Sequence, residues 1–112
     1  MQPALETCLA GLRDDSGAAL PVDIVTATRA LLSHGSVVVL GYYALEYDKY
    51  EEGVCIEWDK TPAGWLEVLA RNSVYEVQFC RNDGISYFRT FPHDALDDAV
   101  QWVLRVAHLE GG

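Results

Sequence analysis

Residues 74–91, VYEVQFCRNDGISYFRTF, decide the fold class of this chain. Polar and apolar side chains alternate from residue 74 to residue 80, as they do in a strand with one buried face. The triplet Asn82-Asp83-Gly84 follows, and its glycine supplies the positive φ that a tight hairpin turn needs. Residues 85–91 then return as the partner strand. The pattern predicts an antiparallel β-hairpin.

Two further strands are predicted upstream of this hairpin. Residues 54–58, VCIEW, follow Gly53 and precede the turn residues 59–64, so a strand is predicted there. Residues 37–40, VVVL, form a β-branched run typical of a buried strand, which we expect to continue to Ala44.

Residues 65–71, WLEVLAR, are ambiguous between a strand and a helix. Thr61 followed by Pro62 is a good start for a helix, because threonine caps a first turn and proline fits inside it. A strand is the preferred interpretation, because the segments that follow form tight hairpins.

Three segments carry the apolar spacing of helices. Residues 3–13 predict a short helix and residues 22–34 a second one, each with an apolar stripe. A final amphipathic helix is predicted to begin where Asp94 and Asp97 form a capping-box-like pair. We therefore predict a single α+β domain over residues 1–112. It has an antiparallel sheet of four to five strands, N-terminal helices and a C-terminal amphipathic helix packed on the sheet.

The charge of the chain restricts its partners. The 112 residues include 17 acidic and 8 basic side chains, which gives a formal net charge of −9. Phosphate groups repel a protein this acidic, so nucleic acid and anionic membranes are not expected as partners. The N-terminal residues have neither a positive region nor a continuous apolar stretch, so no signal peptide is expected. We predict a cytoplasmic protein that binds a basic protein partner, or whose charge serves solubility.

Motifs for catalysis and metal binding are not found in the sequence. The histidines and cysteines are widely spaced and form no metal-ligand pattern; they are His34, His93, His108, Cys8, Cys55 and Cys80. Neither a nucleophile elbow nor a phosphate-binding glycine loop occurs. We therefore predict a non-enzymatic protein without metal or cofactor, with reduced thiols.

Residues 46–59 concentrate both the acidic and the aromatic side chains. Six carboxylates stand there against Lys49, so this segment carries −5 of the net −9. Aromatic side chains favour interfaces because they cover much area with few rotatable bonds, and carboxylates speed association with a basic partner. The alternative is a strand pair with aromatic residues inside and acids in solvent. The predicted partner contacts are Tyr42, Tyr43, Glu46, Tyr47, Asp48, Tyr50, Glu51, Glu52, Trp58 and Asp59.

The second half of the chain resembles a known class of binding proteins. The meander GWLEVLARNSVYEVQFCRNDGISYFRTF and the helix DALDDAVQWVL are similar to the hairpin-then-helix ending of several families of small acidic bacterial immunity proteins, which neutralise interbacterial toxins. The resemblance implies a protein that blocks the active site of a cognate toxin or an adjacent surface. A basic toxin, such as a nuclease or deaminase, suits the charge. These families share no universal motif, so the resemblance assigns no residue.

Two alternatives stay open at this point. Type III secretion chaperones are also small and acidic, and they follow the order helix, three strands, helix, two strands, helix. A helix at residues 65–71 would bring this chain close to that order. A small enzyme or ligand-binding domain would instead need a pocket between helix and sheet, lined by polar groups near His93 or Cys55. The sequence does not distinguish a monomer from a homodimer.

Overall fold

The protein is represented by a computed structural model that describes residues 5–14, 16–38, 43–61 and 64–108. Three helices precede the sheet and one follows it. The helices are α1 (Leu5–Ala10), α2 (Val22–Ser33), α3 (Gly35–Val38) and α4 (Leu96–His108). The strands are β1 (Ala44–Asp48), β2 (Gly53–Thr61), β3 (Gly64–Ala70), β4 (Val74–Arg81) and β5 (Ser86–Pro92). A short 3-10 helix, His93–Ala95, joins β5 to α4.

The five strands form one antiparallel sheet in the order β1-β2-β3-β4-β5. Each strand pairs with the next one along the chain, so the sheet is a meander. This confirms the predicted α+β class. Short connections suffice for this topology, because antiparallel neighbours need only a turn between them.

The predicted hairpin between β4 and β5 is confirmed, and its turn uses the predicted glycine. Gly84 adopts φ +95°, a left-handed conformation that favours glycine. The amide of Arg81 donates to the carbonyl of Ile85 at 2.8 Å and so closes the hairpin. The Asp83 carboxylate accepts from the amide of Ile85 at 3.1 Å.

Residues 64–70 form a strand, as the preferred interpretation predicted. Leu66 pairs with Trp58 on one side and with Phe79 on the other, so β3 lies in the middle of the sheet. The side chains of Leu66 and Val68 both point into the core. Residues two positions apart share a face in a strand but not in a helix, so this pattern fits a strand.

The turn between β2 and β3 depends on Gly64. This residue has φ +155°, and a Cβ atom built there would lie 2.1 Å from the carbonyl oxygen of Cys80. Its amide donates to the Thr61 hydroxyl at 3.1 Å, and that hydroxyl donates to the Gly64 carbonyl. Any larger residue would therefore push β3 away from β4.

The sheet has one face packed against helices. Side chains at alternate positions of the central strands point to this inner face; the buried ones are Val54, Ile56, Trp58, Leu66, Val68, Ala70, Tyr75, Val77 and Phe79. Helices α2 and α4 pack on them through residues such as Leu31 and Val103. The Tyr75 hydroxyl donates to the carbonyl of Ala27 in α2 at 2.7 Å, which ties helix and sheet together.

The prediction of a strand at residues 37–44 is wrong at its start. Residues 35–38 form the short helix α3, in which the amide of Val37 donates to the carbonyl of His34 at 2.9 Å. Val37 is buried in the core. A helical turn and a strand both bury an apolar side chain, so tertiary packing outweighs the β-propensity of this run. Residues 39–42 lie outside the described part, and β1 begins at Ala44.

Helix ends differ from the predictions by a few residues. α1 spans only Leu5–Ala10, and α2 ends one residue earlier than predicted. α4 begins at Leu96, and Asp94 lies in the preceding 3-10 helix. The N-cap residue of that 3-10 helix is Pro92, and no side chain caps it with a hydrogen bond. The predicted capping by Asp94 is therefore wrong. Proline fixes the backbone at this point, and the chain enters the helix through a tighter turn.

Candidate functional site

The predicted contact segment occupies β1, the following turn and β2. It lies at one edge of the sheet, because β1 pairs only with β2. Tyr42 lies outside the described residues, and the side chain of Asp59 also lies outside them. The other eight predicted contacts fall into an inward group, a turn group and an outward group.

The inward group belongs to the core. Trp58 is 1% exposed and lies on the inner face, with its ring centroid 5.8 Å from that of Tyr43. The prediction that Trp58 contacts a partner is therefore wrong, because the alternation of β2 points it into the protein. Tyr43 and Tyr47 are half-buried and pack against the same core. Burial raises the pKa of Tyr43 above its usual range.

The turn group is held by Asp48. Its carboxylate accepts from the amides of Tyr50 at 2.9 Å and Glu51 at 3.1 Å, as in a tight Asx turn. Glu52 follows with φ +56° and an exposed side chain. Tyr50 is 85% exposed and carries the Lys49 ammonium 5.3 Å from its ring centroid. Among the predicted aromatic contacts that the structure describes, Tyr50 is the one that is fully exposed to a partner.

The outward group is part of a larger acidic surface, which we call the outer face. It consists of the side chains that point away from α2 and α4, and its carboxylates come from four strands: Glu46, Glu57, Glu67 and Glu76. Of these four, only Glu46 was among the predicted contacts. Glu57 lies in the charged segment 46–59 but was not predicted as a contact. Glu67 and Glu76 were missed because they lie further along the chain. The alternation of residues 65–71 and 74–80 is the signal that could have found them.

Two of these carboxylates face each other directly. Glu57 and Glu67 are opposite residues in the pairing of β2 with β3. The Trp65 indole donates to Glu57 Oε2 at 2.5 Å, and the Cys55 thiol donates to Glu67 Oε2 at 2.7 Å. Neither carboxylate has an ion pair with the side chains that the structure describes. Both are oriented by neutral donors, so their negative charges are left uncompensated.

The Cys55 thiol is a donor here and not a nucleophile. Burial raises its pKa well above the usual range, and the neighbouring Glu67 adds to this increase. A reactive cysteine needs a lowered pKa and positive surroundings. Cys55 therefore stays protonated and serves to orient Glu67.

Arg71 is the cation paired with the outer face in the described part of the chain. Its Nη1 atom lies 3.2 Å from Glu51 Oε1 and 3.0 Å from Glu76 Oε2. All three side chains are partly exposed to solvent, so these pairs contribute little to stability. Through Glu51 and Glu76, Arg71 connects the turn after β1 with β4.

The space between helices and sheet is almost filled. The cavity there measures about 10 Å³ and is lined by apolar side chains such as Leu31, Trp58 and Val100. That volume holds at most about one water molecule. A separate, open hollow of about 630 Å³ lies beside His93 and is lined by Tyr75 and by α2 side chains that include Asp23 and Thr26.

The histidines lie in separate places. His34, the residue after α2, has its Nε2 atom 3.1 Å from Oδ1 of Asp97 in the first turn of α4. The ring of His93 packs on that of Tyr75, with 5.0 Å between centroids. The side chain of His108 is outside the described set. Within residues 5–14, 16–38, 43–61 and 64–108, no three histidine, cysteine or acidic side chains are placed to hold a metal ion.

Comparisons with known proteins give no relative. No protein-family model, no curated protein and no solved structure matches this chain. The described helices include none with the length and apolar character needed to span a membrane. The function is therefore inferred from the residues of the chain itself.

Proposed function

We propose that this chain is a non-enzymatic binding protein that docks its outer face onto a basic partner protein. The partner that suits the resemblance to small acidic immunity proteins is a bacterial toxin, which the chain would neutralise in the cytoplasm. The observation that carries the proposal is the opposed pair Glu57 and Glu67 on a sheet face that the helices leave open.

Like charges directly opposite each other on neighbouring strands destabilise a sheet. A sheet face that served only to contact water would gain nothing from this arrangement. A basic partner would neutralise both carboxylates at once, and their fixed orientation reduces the entropy lost on binding. The pair therefore fits recognition better than it fits stability.

The charge of the whole chain supports a basic protein as the partner. With a net charge of −9, long-range attraction speeds encounter with a positive surface. Enzymes that act on nucleic acid carry such surfaces, because they bind phosphate. A nuclease or deaminase toxin is thus the partner class we propose.

The order of elements favours this function over the chaperone alternative. That family would require a helix between the third and fourth strands. Here β3 ends at Ala70 and β4 begins at Val74, so three residues join them. The space between helices and sheet is filled, so a pocket for the enzyme alternative would have to be the open hollow beside His93.

The experiment is co-expression of the chain with the toxic domains of secreted proteins encoded beside its gene. We expect the wild-type chain to restore growth and to bind one such domain. The double variant Glu57→Gln, Glu67→Gln should bind at least about ten-fold more weakly.

The matched control is the double variant Asp94→Asn, Asp98→Asn. It removes the same charge from two exposed carboxylates at the start of α4, on the other side of the sheet. It should protect as well as the wild type. Equal losses in both variants, or no neutralised toxin domain beside the gene, would contradict the proposal.

A further inference from the structure

The outer face contains a hollow that the proposed function does not by itself explain. It measures about 260 Å³, which is roughly the volume of eight to nine water molecules in the liquid. It extends from the turn after β1 across β3 and β4 to β5. We call it the Leu69 hollow. The residues that line it are Asp48, Glu51, Glu67, Leu69, Glu76, Gln78 and Phe88.

The hollow has an apolar base and an apolar wall. Leu69 is 8% exposed although it points to the outer face, so it forms a buried floor. Phe88 is 65% exposed and lines the hollow from β5, opposite Gln78. An exposed phenylalanine and a buried leucine in one hollow offer apolar surface for the aliphatic stem of a long side chain.

The rim of the hollow is acidic. Four carboxylates line it, and Arg71 pairs with two of them, Glu51 and Glu76. The guanidinium of Arg71 therefore already contacts two carboxylates of this hollow. Glu67 has one oxygen bound by Cys55, and its other oxygen has no hydrogen-bond partner among the described residues.

We propose that the Leu69 hollow receives one arginine side chain of the basic partner. This inference rests on the proposed function. The arginine stem would lie on Leu69, its guanidinium plane would stack on the Phe88 ring, and its N–H groups would donate to Glu67. Arginine fits better than lysine, because its planar guanidinium both stacks on aromatic rings and pairs with carboxylates along one edge.

The test is a nuclear magnetic resonance titration of the ¹⁵N-labelled chain at low salt. The probes are three blocked pentapeptides with a central arginine, lysine or citrulline between alanines, and a hexalysine peptide. Citrulline keeps the shape of arginine without its charge. We expect the arginine peptide to shift the amides of Glu67, Leu69, Gln78 and Phe88 with a saturable curve. The citrulline peptide should bind at least ten-fold more weakly, and the lysine peptide at least three-fold more weakly.

Two variants and two matched controls locate the binding. Phe88→Ala and Glu67→Gln should each weaken the arginine peptide at least three-fold. Ile85→Ala removes another exposed apolar side chain from the same hairpin, and Asp98→Asn removes an acid from α4, so both should leave affinity unchanged. The spectrum of each variant also shows whether it is folded. If only one of Phe88→Ala and Glu67→Gln folds, that variant alone is sufficient for the test.

The outcomes separate this inference from the proposed function. Equal binding of the arginine and citrulline peptides, equal binding of arginine and lysine, or shifts away from the hollow would overturn the arginine site. If hexalysine still shifts the amides of β2 and β3, the acidic outer face stands as a docking surface. If hexalysine shifts no amide of the outer face, the proposed function is contradicted as well.

Discussion

Trp58 and Tyr50 show how two aromatic residues of one short segment come to have opposite roles. Trp58 lies on β2 at a position whose side chain points inward, and it is covered by the core. Tyr50 lies in the turn after β1, where no neighbouring strand covers it. Position in the element, and not residue type, decides which of the two can contact a partner.

We expect Trp58→Ala to lower the free energy of unfolding by about 3–5 kcal/mol, because it leaves a large cavity in the core. Tyr50→Ala should change it by less than about 0.5 kcal/mol, since exposed side chains contribute little. Urea denaturation of both variants measures the difference. Similar effects of the two substitutions would show that the assigned burial is wrong.

Tyr75 gives the protein a stability that depends on pH. Burial raises the pKa of its hydroxyl from the usual 10.0 to about 12. Between these two values the folded state keeps a proton that the unfolded state has lost. The free energy of unfolding therefore falls as the pH rises through this window, by up to about 2–3 kcal/mol.

We predict that Tyr75→Phe flattens this decrease between about pH 10 and 12. At neutral pH the same variant should be less stable by about 1 kcal/mol, because the carbonyl of Ala27 loses its donor. Urea denaturation at several pH values gives both numbers. A variant with the same slope as the wild type would show that Tyr75 does not control this titration.

At the scale of elements, the β2–β3 pair places two like charges opposite each other. Glu57 and Glu67 lie opposite each other, although either position would tolerate a neutral side chain that accepts from the same donor. Cross-strand pairs of like charge are unfavourable by a few tenths of a kcal/mol to about 1 kcal/mol. Neutralising one member should therefore stabilise the sheet.

We predict that Glu67→Gln raises the free energy of unfolding by up to about 1 kcal/mol at neutral pH. The amide oxygen of glutamine can still accept from the Cys55 thiol. Glu76→Gln is the control, because Glu76 is paired with Arg71 and should give no gain. If Glu67→Gln destabilised the protein more than Glu76→Gln does, the opposed pair would be structural.

The elements differ in how far sequence could predict them. β4 and β5 were predictable, because alternation and the Asn82-Asp83-Gly84 turn are local signals. The run at residues 37–40 was not, because a buried valine satisfies a helical turn such as α3 as well as a strand. The choice between strand and helix for residues 65–71 depended on the neighbouring strands, because β3 obtains hydrogen-bond partners from both β2 and β4.

The candidate site was predictable only in part, for the same reason. Charge density along the chain pointed to β1 and β2, and two carboxylates of the outer face lie there. Glu67 and Glu76 join them only through the register of β3 and β4, which a linear charge pattern does not contain. Trp58 fits the alternative that was not preferred, a strand pair with its aromatic residues inside.

At the scale of the whole molecule, the protein separates its packing from its charge. The helices and the inner face of the sheet share one apolar core, whereas the outer face holds the opposed carboxylates and the Leu69 hollow. We therefore expect substitutions of the outer-face carboxylates to leave the core folded.

The association rate constant with the neutralised toxin domain tests the central claim most directly. We predict a decrease of at least about ten-fold between low salt and about 0.5 M salt, because screening weakens the attraction between the acidic outer face and a basic partner. The Glu57→Gln, Glu67→Gln variant should associate more slowly at low salt and depend less on salt. A rate constant that is independent of salt, or unchanged in that variant, would contradict recognition through the outer face.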